Sequence, residues 1–209
     1  MACLRGYPQE YALNYAEVVV SKNTSTRVSR ESGEELLLQA AIELAQSTPI
    51  SKITVRDIAS TAGLQTMHLK RYFGSRNQLL VAVSNRMMET IMESIFDTPL
   101  PQIFPYLQNS REVKLRLRIV SHLIAEGVEP KEFSNDKAMY LRIAERIATV
   151  NNVSKRTSLT FAFIIQLILQ GDRLMGEVNG ISKKQRKDIF DLLVVLGGGL
   201  GAAEKALDW

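Results

Sequence analysis

The chain has 209 residues, 45% of them hydrophobic, enough for a real core in one large domain or two small ones. Its single cysteine, Cys3, excludes an intrachain disulfide, and its two histidines, His68 and His122, give no cluster for a structural zinc ion or other metal. The charge balance is 26 basic against 22 acidic residues, and residues 50–80 hold Lys52, Arg56, Lys70, Arg71 and Arg76 against Asp57 alone, so the whole net of +4 lies there. Such localisation suits a phosphate-facing surface, although a solvated charged face would give the same count.

Residues 1–31 form an N-terminal extension that is expected to be mobile. Its SKNTSTRVSRESG portion is polar, with Lys22, Arg27 and Arg30 ahead of Glu31, while YALNYAEVVV suits a short helix and a short strand equally. The opening residues lack a signal-peptide arrangement. The longest strongly apolar runs, 161–169 and 192–203, fall short of the roughly 18 to 20 residues that cross a bilayer, so a cytoplasmic protein with no membrane partner is expected.

A first helix is predicted from Ser32, with Glu35 completing a capping box, to about Gln46; Leu37, Ala40, Ala41, Leu44 and Ala45 form its buried stripe and Pro49 ends it. The stretch from Thr54 to Phe73 reads as a helix-turn-helix. Thr54 caps its first helix with Asp57 three residues on, and Val55, Ile58, Ala59 and Ala62 make one apolar face. Gly63 permits the sharp turn and Leu64 plugs the angle. The second helix, Gln65 to Phe73, packs through Leu69, Tyr72 and Phe73 and leaves Gln65, Thr66, Met67, His68, Lys70 and Arg71 outward. Short polar and basic groups are what a helix in a major groove carries. Gly74 stops it. Ser75 and Gln78 then open a connecting helix over 76–96, buried through Leu80, Val83, Met87, Ile91 and Ile95.

From Ser32 to Leu80, this order of elements resembles the DNA-binding domain of TetR-type transcriptional regulators. The residues that carry the resemblance are LLLQAAIEL, TVRDIASTAGL, Leu69, Tyr72, Phe73, the Gly74-Ser75-Arg76 turn and Leu79. It implies an all-α fold: an N-terminal three-helix helix-turn-helix domain, 32–80, and a C-terminal helical ligand-binding and dimerisation domain, 81–209. It also implies that Gln65, Thr66, Met67 and His68 face base edges, with His68 equally placed for a phosphate, that Lys70, Arg71, Tyr72 and Arg76 meet the phosphate backbone, and that Thr54 and Arg56 meet phosphate or a flanking base. Arg56 has a rival role as an ion-pair partner within the three-helix core, and Tyr72 as a core residue. Residues 1–31 are either a tail without a role or an arm along the minor groove. Gln65, Met67 and Lys70 depart from the family pattern, so the operator sequence is not readable.

The DTPLPQIFP stretch, with Pro99, Pro101 and Pro105, breaks the pattern and marks a domain boundary. Helices are predicted beyond it from Arg111 to about Val128, from about Asn135 to Val150, from Lys155 to about Glu177 and from Lys183 to about Leu207. FAFIIQLIL is apolar on nearly every side and is expected to be buried all round. Four glycines in the last helix either serve close packing through Gly197 and Gly201 or break it at Gly197 to Gly199. TetR-like proteins pair these last two helices between subunits, so the resemblance implies a homodimer, with Phe163, Leu167, Leu193, Gly197, Leu200 and Gly201 at the interface, on a palindromic double-stranded DNA operator. It further implies a pocket for a small apolar or amphipathic effector, lined by His122, Met139, Tyr140, Phe161 and Gln166. No cofactor is expected. The resulting expectation is a repressor released from its operator by the effector; a helical carrier or interaction module that has lost operator binding is the alternative. An enzyme is not expected, since no nucleophile-base arrangement, phosphate loop or metal spacing occurs.

Overall fold

The computed structural model describes residues 29–96, 98–133 and 136–209, so most of the N-terminal extension, with its minor-groove arm, lies outside the described residues. The described elements are helical throughout: α1 (Arg30–Ser47), α2 (Val55–Thr61), α3 (Thr66–Phe73), α4 (Arg76–Phe96), α5 (Leu100–Asn109), α6 (Arg111–Ala125), α7 (Asp136–Asn151), α8 (Lys155–Met175), α9 (Lys183–Gly198) and α10 (Leu200–Leu207), with single 3-10 turns at Ile50–Lys52 and Pro130–Glu132.

Two apolar clusters organise these helices. The first unites α1, α2 and α3 with the first half of α4 through Leu37, Ala41, Ile58, Leu69, Leu79 and Leu80. Leu115, Ile119 and Leu123 of α6 complete it from the far side of the Pro-rich stretch. The second joins the rest of α4, from Met88 to Ile95, to α5, α7, α8, α9 and α10. α4 is therefore buried in both clusters along its length, a continuous rod that α7 also holds at its far end. There Arg146 donates to Ile95 O at 2.8 Å, in the last turn of α4, and to Thr98 O at 2.7 Å just beyond it.

Several expectations are corrected. α1 is capped by Ser29, whose hydroxyl accepts from Ser32 N at 3.2 Å, so the helix starts two residues before Ser32. Ser75 does cap α4, accepting from Gln78 N at 3.1 Å, but the Gln78 amide reaches across to Glu132 instead of closing a box. The Pro-rich stretch forms α5: Pro99 is its N-cap and Pro101 lies in the first turn, where helical N–H groups have no intrahelical acceptor to lose. FAFIIQLIL is buried on one face only, through Phe161, Ala162, Ile165 and Leu169, while Phe163, Ile164 and Leu167 are exposed. The last helix breaks at Gly199, which ends α9 and begins α10. α10 then folds back on the start of α8, where Glu204 accepts from Ser154 N at 3.0 Å and Arg156 lies over the Trp209 ring at 4.5 Å.

Candidate nucleic-acid interface

α2 and α3 are set at their angle by local chemistry. Thr54 Oγ1 accepts from Asp57 N at 3.2 Å while Asp57 Oδ2 accepts from Thr54 N at 2.9 Å, the two halves of a capping box. The Thr54 hydroxyl, and then its amide, hold the Asp57 carboxyl below the usual carboxylate range. Gly63 turns the chain at φ +67°, a conformation that costs glycine nothing, and Leu64 packs into the cluster behind it. Gly74 repeats the device at φ +78° to end α3.

α3 buries Leu69 and presents Thr66, Met67, Lys70 and Arg71 to solvent. Gln65 precedes the helix as its extended N-cap, also exposed. Among the described residues, Lys70, Arg71 and the exposed Arg56 stand in no ion pair. His68 differs from the expectation. It is half-buried, its Nδ1 covered and without a hydrogen-bond partner among the described residues, and its ring lies 5.7 Å from that of Tyr72. Tyr72 in turn packs inward on α1, where a Cβ at Gly33 would stand 2.8 Å from its Cε2. Tyr72 thus braces α3 against α1, with the His68 ring beside it on the same helix.

Arg76 is the clearest correction. Its Nε donates to Ile53 O at 2.7 Å, its Nη2 donates to Ile50 O, and its Nη1 donates to Asn77 and to Glu126. A guanidinium with its donors committed inward is a staple, not a phosphate contact. His122, expected in the effector pocket, belongs to the same network: its Nε2 stands 3.0 Å from Glu126 Oε1 and 3.4 Å from Arg76 Nη2.

The remaining pocket candidates divide between two cavities. Met139, Tyr140 and Gln166 line one between α4, α6, α7 and α8, together with Arg116, Gln170 and Arg173. Phe161 lines the other, an almost wholly apolar space of about 150 Å³ under α9, with Leu193 and Gly197. Leu107 of α5 is common to both. Sequence reasoning missed Gln170 and Arg173, although 166, 170 and 173 follow helical spacing on one face. Burial pulls the Arg173 guanidinium below arginine's ordinary value, and the nearby Arg186 adds to this while Asp172 opposes it.

The expected dimer residues also divide. Phe163 and Leu167 are exposed, whereas Leu193 and Leu200 are buried in the chain's own core. Gly197 faces Phe161, whose Cε1 would lie 3.3 Å from an added Cβ, and Gly201 meets nothing. The exposed apolar side chains of α9 are Leu192, Val194, Val195 and Leu196.

A compact three-helix unit with a tight glycine turn, an exposed basic second helix and an all-helical body behind it is of the helix-turn-helix class. Residues 37–83 match the family described as bacterial regulatory proteins, tetR family. Two curated relatives share part of the chain. The nucleoid occlusion factor SlmA of Marinobacter nauticus is 33% identical over 95 residues, 46% of this chain and 45% of that protein. An uncharacterized HTH-type transcriptional regulator in the dhlA 5′ region of Xanthobacter autotrophicus is 27% identical over 122 residues, 58% of this chain and 57% of that protein. The chain spans about half the length of these curated relatives. A tetR-family transcriptional regulator from Streptomyces coelicolor superposes with a TM-score of 0.65 at 15% identity over 85% of this chain and 83% of that one. The fatty acid degradation regulator FadR from Bacillus halodurans does so at 0.53 and 12%, over 86% of this chain and 96% of that one. These two likenesses are of fold.

Proposed function

We propose that the chain is a sequence-specific DNA-binding transcriptional regulator of the cytoplasm, a homodimeric repressor that leaves a palindromic operator when a small effector binds. The observation that carries the reading is the surface of α3, where Thr66, Met67, Lys70 and Arg71 are exposed and, among the described residues, neither cation is paired. Gln65 and Thr66 at its N-terminal end have the groups that read base edges, and Lys70, Arg71 and Arg56 those that hold phosphates. One short helix reads too few bases for specific binding, so a twofold partner is needed. The exposed stripes Phe163, Ile164, Leu167 on α8 and Leu192, Val195, Leu196 on α9 supply an apolar face for it.

Release follows from the path of α4. Met88 and Ile91 of this helix wall the first cavity, while its other end begins at the turn that leaves α3. An effector that requires a different pose of α4 must bind the DNA-free form better, and DNA must weaken effector binding by the same factor. The test is fluorescence anisotropy with duplex from the upstream region of the gene and with scrambled duplex, at two salt concentrations. Preference for the upstream duplex with two protomers per site supports the reading. Equal binding to both, vanishing with salt, together with no site in a genomic selection, overturns it.

A further inference from the structure

The cavity between α4, α6, α7 and α8 has an uneven wall. Most of it is Met, Ile, Leu and Val, yet Arg116 and Arg173 also line it, with Gln166, Gln170 and Tyr140. No acidic residue lines it among the described residues. Arg173 is half-buried and, among the described residues, stands in no ion pair: its carboxylate neighbour Asp172 is held by Arg186 at 2.7 Å, and its own Nη2 makes a long contact of 3.5 Å with Leu107 O. Arg116 is 7% exposed, its Nε donating to Ser84 O at 3.1 Å.

A guanidinium withdrawn from water without a counterion is costly, and a bound anion offsets that cost. A cationic ligand would meet the Arg173 guanidinium, with no acidic side chain lining the cavity among the described residues. A neutral apolar ligand would desolvate Arg173 further and leave it unpaired. We infer that this cavity takes a single-chain amphiphile with an anionic head, the head at Arg173 with the side-chain amides of Gln166 and Gln170, and the tail running along the apolar wall toward Leu107. The inference rests on the effector reading and names the class of effector. Arginine suits the head because its planar fork matches carboxylate and phosphate alike. Leu107, whose carbonyl lies beside Arg173, also borders the apolar cavity under α9.

The test is calorimetric titration of the full chain with decanoate, decyl phosphate and decan-1-ol, each followed by anisotropy on operator duplex. At least one anion should bind tenfold or more tighter than the alcohol, and whichever it is names the head. Binding should tighten roughly threefold to fourfold per methylene from hexanoate to decanoate, or along the matching alkyl phosphates. Arg173→Gln should abolish the preference for the anion and leave the alcohol unchanged, and Arg173→Lys should keep most of it. Circular dichroism checks that each variant folds, and the comparison of head groups in the unaltered chain needs no variant. Equal binding of all three probes, binding of none, or a preference that survives Arg173→Gln overturns the inference. Anion binding that depends on Arg173 but leaves the DNA complex intact upholds it and removes effector release. Release of DNA by the alcohol as readily as by the anions does the reverse.

Discussion

Arg76 Nη1 donates to Glu126 Oε2 at 3.2 Å, joining the first residue of α4 to the C-cap of α6. The same guanidinium serves the Ile50 and Ile53 carbonyls before α2, so one side chain ties three segments at the base of the helix-turn-helix. Arg76→Met should strip those carbonyls of their donor and cost roughly 1–3 kcal/mol, read as a lower urea midpoint. DNA affinity should fall with it, yet the slope of log affinity against log salt should stay as it was. A flatter slope at unchanged stability would restore Arg76 to the phosphate-binding set.

Lys70 and Thr66 lie on the same exposed helix and should fail differently. Lys70→Ala should weaken binding to upstream and scrambled duplex alike and lower the salt slope by about one phosphate contact. Thr66→Ala should act on the upstream duplex alone, by about 1 kcal/mol or more, with the slope intact. Equal losses on both duplexes from Thr66→Ala would remove it from the base-reading set.

These two cases mark where the sequence was readable. The helix-turn-helix was legible because its signals are local: Thr54 and Asp57 lie three residues apart, and Gly63 and Gly74 punctuate helices of short, fixed length. The role of Arg76 was not, because its partners Ile53 and Glu126 lie 23 and 50 residues away, and a basic residue at the turn looks the same whether it faces phosphate or carbonyl. His122 went astray for the same reason. On α9, Leu193 and Leu196 are both apolar and three apart, but Leu193 alone of the two is buried in the second cluster, a tertiary contact that is not visible in the spacing. Phe163 and Leu167 show the converse: an all-apolar segment suggests full burial, yet both side chains are exposed in the chain.

The capping box gives α2 a dependence on pH. The folded Asp57 carboxyl is more acidic than in the unfolded chain, so the unfolded state takes up its proton first as pH falls. The stabilisation is whole above the unfolded carboxylate range and is lost as pH drops through the lowered folded value. Thermal melts of the unaltered chain and Asp57→Asn should differ at neutral pH and converge in acid. A gap that persists unchanged into strong acid would place the effect of the substitution elsewhere than in the carboxylate.

The exposed stripes of α8 and α9 make the last prediction one of contrast between neighbours. Leu167 is 68% exposed and Leu193 4%, although both are leucines on the two helices expected to pair. Leu167→Glu places a charge where a partner's apolar face would cover it, and should shift the protein from dimer to monomer in sedimentation velocity while each chain keeps its helical circular dichroism. Operator affinity should fall at least tenfold, since the second reading helix no longer binds as part of one body. Leu193→Ala should instead destabilise the fold by roughly 2–5 kcal/mol, because it empties space inside the second cluster, next to a cavity already present. Gly197→Leu belongs with Leu193→Ala: its side chain would drive into Phe161 within the same chain, so instability and not dissociation is the expected primary effect. Sedimentation of Leu167→Glu as an unaltered dimer would show that the protomers meet through some other surface, and the exposed apolar stripes would then need a different occupant.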